Sequence, residues 1–313
     1  MQANRYSEQT PPVLLIAFNR PELTARLLDR IKTGRPSVLY VACDGPRPGR
    51  QDDQEKIGRI HTMLGAIDWC GNVKTQFQST NLGCGRGESE AMTWFLNDAG
   101  EGIILEDDTL PDPSFFRFCG EMLDRYRETT NIWQISGYNY LSGRYRTEID
   151  YLFSQCGFSW GWATWQRAWR FYDFEMKSWP EFKRLGYHRL FPFTPEDNRS
   201  FENAYNGRVD TWDYQWNYVR AANSGLSVVP KFSLVENIGF GMDGAHGVTL
   251  EAGKKYLAPV RPMAFPMKHP LFLCTDNYYD RMLVRSVRKG GGLVARIWRK
   301  ASSLVHRYRS PPK

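Results

Sequence analysis

The first strongly apolar stretch, Val13-Leu14-Leu15-Ile16-Ala17-Phe18, is continuous rather than alternating. A strand that is apolar on both faces belongs inside a parallel sheet covered from each side. Asn19-Arg20-Pro21 then punctuates, and Leu23, Leu27, Leu28 and Ile31 recur at helical spacing until Gly34 and Pro36 end the helix. Residues 38–42 predict a second strand, halted at Cys43-Asp44-Gly45-Pro46. A helical pattern over 52–65 leads into a strand over 73–78, and Asn81-Leu82-Gly83-Cys84-Gly85-Arg86-Gly87 predicts a Gly-rich turn into a helix over 88–97. Another short apolar run, Ile103-Ile104-Leu105, ends in Glu106-Asp107-Asp108. Strands and helices in alternation, with polar residues at the carboxyl ends of strands, describe an open α/β sheet with its ligand crevice at those ends.

Past about residue 140 the regular alternation stops and Trp, Tyr and Gly crowd the chain. Trp160, Trp162, Trp165 and Trp169 fall at spacings of two, three and four, which predicts a partly helical face with most of these rings in the core. The expected organisation is one domain in two halves, 1–140 and 141–280, followed by an appendage over 281–313. In that appendage Leu293, Val294, Ile297, Trp298, Ala301, Leu304, Val305 and Tyr308 lie on one helical stripe, with basic residues opposite.

Charge sharpens this division. Lys and Arg number 41 against 34 acids, a net charge of +7. Ten of the basic residues lie in 281–313, which holds no acid, so the rest of the chain carries 31 basic and 34 acidic residues, a balance of about −3. A near-neutral body excludes a globally basic nucleic-acid binder and leaves an anionic membrane surface as the partner of the tail alone. The six cysteines, at 43, 70, 84, 119, 156 and 274, form no CxxC pair, so a cysteine metal site has no support. The opening MQANRYSEQTPP lacks an apolar signal core, and no run approaches the ~18–20 apolar residues that span a bilayer. The expectation is a cytoplasmic protein with reduced thiols, peripheral on the inner face of the membrane.

Three adjacent carboxylates at the end of an apolar strand raise one another's pKa and destabilise the fold unless a cation or hydrogen bonds compensate. Mn²⁺ or Mg²⁺ supplies such compensation and takes both carboxylate and phosphate oxygens. The same ion would neutralise a diphosphate leaving group. Alternation along a strand predicts that only one or two of the three acids can ligate. Capping of the helix that starts near Pro113 falls better to Asp112 than to Asp107 or Asp108.

The stretch Ile103-Ile104-Leu105-Glu106-Asp107-Asp108-Thr109-Leu110-Pro111-Asp112-Pro113-Ser114-Phe115-Phe116 resembles the metal-binding segment of N-acetylglucosaminyltransferase I and its bacterial relatives. That family has the GT-A fold, a mostly parallel sheet flanked by helices, and an EDD form of the DxD signature. Other segments agree in order over residues 12–250: Ile16-Ala17-Phe18-Asn19-Arg20, Val41-Ala42-Cys43-Asp44-Gly45, Trp133-Gln134-Ile135-Ser136, Trp212-Asp213-Tyr214-Gln215-Trp216, and Gly239-Phe240-Gly241 to Ala245-His246-Gly247. The resemblance implies an inverting transfer from a UDP-sugar to a hydroxyl of a glycan or lipid-linked saccharide, with 1–140 on the nucleotide-sugar side and 141–280 on the acceptor side. It implies that Asp108 ligates the metal, that Glu106 and Asp107 face the donor sugar and ribose, and that Asp44 reads the uracil edge. Arg20, beside Phe18, would contact the diphosphate, and Asp213 would be the general base. Two departures stand out. Tyr214-Gln215 separates Asp213 from the second Trp, and the Asn81–Gly87 turn is more like the Asn-x-Gly turn of other GT-A transferases.

Each of these residues has a plainer reading. Asp44 before Gly-Pro can simply start a turn, and Arg20 can be a surface residue at a helix start. The 81–87 turn lacks the GK[ST] of a P-loop, so it can be tight packing, with Arg86 touching donor or acceptor as the functional alternative. Trp160 or Trp162 is a candidate platform under a sugar, and His246, flanked by glycines, a candidate lid over a nucleotide. Asp213 can be a helix-start residue, and Asp210 can take its place in either role. Two other function classes compete: a sugar nucleotidyltransferase, which normally carries a Gly-rich basic loop after the first strand, and a non-catalytic, membrane-associated glycan-binding subunit.

Overall fold

The computed structural model describes residues 6, 9–192, 195–240 and 256–289. His246 and the tail beyond residue 289 therefore lie outside the described residues. The first half builds the strand–helix alternation that its apolar runs predict: β1 (Val13–Ala17), α1 (Pro21–Gly34), β2 (Leu39–Cys43), α2 (Gln51–Gly65), β3 (Val73–Phe77), α3 (Cys84–Ala99) and β4 (Glu101–Glu106). Strands β3, β2, β1 and β4 lie side by side and parallel. Alternate residues of β1 enter opposite faces. Val13, Leu15 and Ala17 pack with helices α1 and α2, whereas Leu14 and Ile16 pack with Met92, Phe95 and Leu96 of α3. Burial on both faces is why the run is unbroken.

A tight turn follows β4 and leads into β5 (Thr109–Pro111) and α4 (Pro113–Arg125). Asp112 caps α4, its carboxylate accepting from the Ser114 amide at 2.9 Å and the Ser114 hydroxyl at 2.6 Å. The remaining strands are β6 (Ile132–Ser136), β7 (Tyr151–Ser154), β8 (Trp162–Trp165), β9 (Leu226–Pro230) and β10 (Val235–Asn237). Among them run α5 (Gln166–Trp169), α6 (Trp179–Arg184), α7 (Pro195–Tyr205) and α8 (Asp213–Ala222), and α9 (Asn277–Lys289) follows. Four strands complete one sheet of eight, in the order β3-β2-β1-β4-β8-β6-β9-β7, and β5 pairs with β10 in a small antiparallel ribbon. The architecture is mixed α/β with helices on both faces. The sheet runs on without a break past residue 140, since β7, β8 and β9 all join it.

Two expectations change here. The Trp-rich segment is only half helical: β8, with Trp162 and Trp165, lies antiparallel between β4 and β6, and α5, with Trp169, is a single turn after it. Residues three apart share a face in a helix but lie on opposite faces of a strand. Trp162 accordingly packs with Trp169, Trp212 and Trp216 on one side of the sheet, and Trp165 with Leu123 on the other. Second, α3 begins at Cys84 rather than Glu88, so Gly85 and Gly87 lie inside its first turn. Among the described residues no helix is long and apolar enough to cross a membrane.

The end of β2 leaves no room for a side chain at Gly45, where a Cβ would lie 2.5 Å from the Thr80 backbone nitrogen. Gly45→Ala should cost about 1–3 kcal/mol in urea unfolding, because backbone cannot rotate aside as a side chain does. Gly58→Ala on α2, where a Cβ meets nothing within 4 Å, should be neutral or stabilising by up to ~1 kcal/mol. Equal effects at the two sites would contradict this packing.

Candidate active site

Strands β1 and β4 are neighbours in register, Ile16 opposite Glu106, so their carboxyl ends deliver Arg20 and the acidic triplet to one place. The Asp107 amide extends the ladder to the Ile16 carbonyl at 3.0 Å, and the Asp44 amide reaches the Ala17 carbonyl at 3.2 Å. Arg20, Asp44 and Asp107 thus stand at adjacent strand ends, where open α/β sheets form their crevice.

The strand stops at Glu106, and the next two acids sit in the turn rather than on the pleat. The Thr109 hydroxyl closes that turn, donating to the Glu106 carbonyl at 2.7 Å and accepting from its amide at 3.1 Å. Strand alternation therefore does not separate Asp107 from Asp108. One guanidinium bridges both, pairing with Asp107 and with Asp108 Oδ2, the latter at 3.0 Å. The Ile238 amide donates to the Asp108 carbonyl at 2.8 Å, and a Cβ on Gly239 would lie 2.7 Å from Asp108 Oδ2, so the segment after β10 passes directly over this acid.

Glu88 is the residue that sequence reasoning missed. Placed at the start of a helix it looks like an ordinary first-turn acid. With α3 starting at Cys84, it falls one turn inside, on the face that carries Gly85, Met92 and Leu96 into the core. A carboxylate on that face was the available signal. Trp212 Nε1 donates to Glu88 at 2.6 Å, and this bond brings the Trp212-Asp213 segment to the acids of β4. Loss of hydration pushes Glu88 up to about 8, the Cys84 and Trp212 hydrogen bonds oppose the rise, and the charges of Asp108 and Asp107 add to it. Burial likewise raises Asp107 to about 6 against the pull of Arg20, and carries Glu106 well above the usual carboxylate range with help from Glu88 and Asp108. Loss of hydration opposes charge on Arg20, but the two aspartates outweigh it and raise its pKa.

Two further carboxylates shape the Gly-rich turn. Asp44 accepts from Asn81 Nδ2 at 2.8 Å and from the amides of Leu82 and Gly83 at 2.9 and 3.1 Å. Asp210 accepts from the amides of Cys84 and Gly85 at 3.1 and 2.9 Å, satisfying two of the orphan donors at the start of α3. This capping is why the helix starts early, and Asp210 is committed to α3 rather than to α8. Both Asp44 oxygens are engaged by protein donors, so a nucleotide base would have to share them. A Cβ on Gly85 would lie 2.8 Å from both Asp210 Oδ1 and the Thr211 carbonyl.

The other predicted residues scatter. Asp213 is the first residue of α8, partly exposed, with the Thr211 hydroxyl donating to it. Phe18 is half-buried, with the Arg47 guanidinium 5.4 Å from its ring centroid. Arg86 is exposed on α3, 3.5 Å from Glu90 and over the Phe174 ring. Trp162 is corrected by the structure: it is 0% exposed and stacks on Trp212 at 5.5 Å, so it presents no face to a sugar. Trp160 keeps partial exposure beside Tyr138, Phe240 and Tyr256.

Among the described residues no group of three or more His, Cys, Asp or Glu is arranged to hold a metal by itself. Asp107 Oδ2 and Asp108 Oδ1 are nevertheless buried without a hydrogen-bond partner there. Orphaned carboxylate oxygens fit Mg²⁺ or Mn²⁺, which bind through one or two carboxylates and complete their shell with water and substrate phosphates.

No family model matches the chain, and no curated protein does. Among solved structures, the mannosyltransferase PcManGT from Pyrobaculum calidifontis, in complex with GDP-Man and Mn²⁺, is similar at 11% identity and a TM-score of 0.35, covering 51% of this chain and 46% of that one. HddC from Yersinia pseudotuberculosis is similar at 10% identity and a TM-score of 0.25, covering 46% of this chain and 59% of that one. The chain thus spans about half the length of these structures, and neither is described as an N-acetylglucosaminyltransferase. Likenesses this partial carry no weight for the chemistry, which rests on this chain's own residues.

Between the ordinary value of 4.5 and about 8, the folded chain keeps a proton on Glu88 that the unfolded chain has released. Stability must therefore fall as pH rises through that window. Glu88→Gln keeps the acceptor for Trp212 and removes the titration. Its Tm should match wild type near pH 5 and exceed it by on the order of 2 °C at pH 8. A difference independent of pH would remove Glu88 from the coupled group.

Proposed function

We propose that this protein is a metal-dependent, inverting glycosyltransferase that moves a sugar from a nucleoside-diphosphate donor to a hydroxyl acceptor. The observation that carries the reading is the pair of aspartates bridged by Arg20 at the crevice, Asp107 buried and Asp108 partly exposed, each with a buried oxygen that has no hydrogen-bond partner. An unaided site of this charge repels a diphosphate. Asp108, with Asp107 beside it, would hold Mn²⁺ or Mg²⁺. The bound ion supplies positive charge to the diphosphate as its bond to the sugar breaks.

Arg20 serves this chemistry twice. With only protein around it, the guanidinium neutralises the aspartates. With a divalent ion held by the aspartates, the same fork of Arg20 donors would be free for a phosphate, which it matches in bidentate fashion. Glu106 faces the donor sugar in this reading, and the 81–87 turn, held by Asp44, borders the nucleotide. Asp213 takes the proton of the acceptor hydroxyl, whose oxygen attacks the anomeric carbon while the nucleoside diphosphate leaves from the opposite face. Residues 1–140 carry the donor and 141–280 the acceptor. A uridine donor and a glycan or lipid-linked saccharide acceptor follow from the resemblance to N-acetylglucosaminyltransferase I. Asn19-Arg20-Pro21 after β1, with no Gly-rich basic loop, favours this reading over a nucleotidyltransferase.

Calorimetry with Mn²⁺ and UDP tests the metal and the arginine together. Asp108→Asn should fold normally and weaken Mn²⁺-dependent UDP binding by at least the ~10–100-fold that outer-shell changes alone can cost. Arg20→Ala should do the reverse for the ion alone, tightening Mn²⁺ binding because the competing cation is gone, while weakening UDP binding. If Arg20→Ala weakens both alike, the arginine is not a stand-in for the metal.

Asp213→Asn should leave UDP and Mn²⁺ affinity near wild type and lower single-turnover transfer by about 10²–10⁴-fold. Turnover within a few-fold of wild type would remove Asp213 as the base.

A further inference from the structure

The large sheet ends at β7, and residues 268–276 cover its outer edge. Backbone bonds hold that segment at two points. The Asp150 amide donates to the Lys268 carbonyl at 3.0 Å, and the Asp276 amide donates to the Phe153 carbonyl at 2.8 Å, where Thr275 bridges Phe153 in parallel. A second bond from the Lys268 amide to the Asp150 carboxylate, at 2.6 Å, tightens the first anchor. Three residue steps, from Asp150 just before β7 to Phe153 within it, thus face seven on the covering segment, 268 to 275. An extended chain advances ~3.3 Å per residue, so four residues are surplus to the span and must leave the surface. The displaced residues centre on Leu271-Phe272-Leu273, whose side chains are 86%, 74% and 41% exposed. These apolar side chains form a knob on an otherwise covered edge.

The helix that follows presents a basic face beside the knob. Tyr279, Asp280 and Leu283 of α9 are buried, whereas Tyr278 is 64% exposed and Arg281 and Arg285 are exposed, one and two turns on. Lys268 at the first anchor is exposed as well. From Arg281 to the end of the chain the sequence holds ten basic residues and no acid. A convex tip of three side chains is far short of the ~800 Å² per partner that a stable protein interface buries. A bilayer requires no complementary shape, and apolar tips flanked by Lys, Arg and an aromatic are suited to its interface.

We propose that the 270–274 knob is a wedge that seats the protein on an anionic lipid bilayer, with Leu271, Phe272 and Leu273 entering the interface while Lys268, Arg281 and Arg285 meet the headgroups. The wedge anchors depth, and the basic face provides selectivity for anionic lipid.

Full-length protein sedimented with vesicles of phosphatidylcholine, with and without about one-third phosphatidylserine, tests this. Leu271→Ser/Phe272→Ser should lower partitioning onto anionic vesicles by about tenfold or more, since the interfacial contact scales with buried apolar area. Arg281→Gln/Arg285→Gln should lower it by roughly 30-fold and abolish much of the preference over pure phosphatidylcholine. Cys274 is exposed, whereas the other cysteines are buried or partly buried, so a polarity-sensitive dye placed there reads the knob without any substitution. Its emission should shift to the blue when anionic vesicles are added. The proposal is overturned if the Ser variant binds as wild type does, or if the dye is silent while the protein sediments, because the tail alone then carries binding. It is equally overturned if wild type ignores the vesicles and forms a dimer that the Ser variant loses, which makes the knob a contact between copies.

Discussion

The guanidinium of Arg20 is the contact on which the crevice depends. Two adjacent parallel strands end together, one in three consecutive acids and the other, three residues later, in this arginine. Without the bridge, Asp107 would be a buried charge with no counterion, an arrangement proteins avoid by neutralising the group instead. Burial is the main reason that Asp107 rises to about 6 and Glu88 to about 8, with the neighbouring acids adding to it.

Around this contact the protein places its polar groups with economy. Asp44 and Asp210 grip the two ends of the Gly-rich segment, one holding the turn and the other the start of α3. Because α3 then carries Glu88 inward, the same two carboxylates indirectly set the distance between the β4 acids and the Trp212-Asp213 segment. Trp212 links both systems, with its ring stacked on buried Trp162 and its indole N–H on Glu88. The aromatic wealth of the second half is thus largely a scaffold: Trp162, Trp169, Trp212 and Trp216 wedge α8 against the sheet, and Trp216 Nε1 ties to Gln134 of β6 at 2.9 Å. Rigid ring packing of this kind holds a helix start, and with it Asp213, more firmly than a loop does.

Much of the first half was legible before any coordinates. Unbroken apolar runs, helical spacing and Gly or Pro stops are local signals, so β1, α1, β2, α2, β3 and β4 were readable, as was Asp112 at the head of α4. The second half was harder because β8 inserts between β4 and β6, and strand order is not written in local periodicity. Trp162 and Trp165, at helical spacing, fall on a strand there and only Trp169 on a helix turn, since burial on both faces of a sheet accepts large rings wherever the pleat sends them.

The sequence by itself determined the fold class, the strand-end position of Arg20, Asp44 and the acidic triplet, and the separation of a near-neutral body from a basic tail. It did so because periodicity, turn chemistry and charge are properties of neighbours along the chain. Only the tertiary structure decided that Arg20 joins Asp107 and Asp108, that Glu88 stands with them, that Asp210 caps α3, and that Trp162 is closed to solvent. Apart from Glu88, about 20 positions from the aspartates, each depends on residues 50 to 130 positions apart meeting across a strand end or helix start. Such meetings are set by which strand lies next to which, and by how much chain must be looped out between two anchors, as at Leu271-Phe272-Leu273.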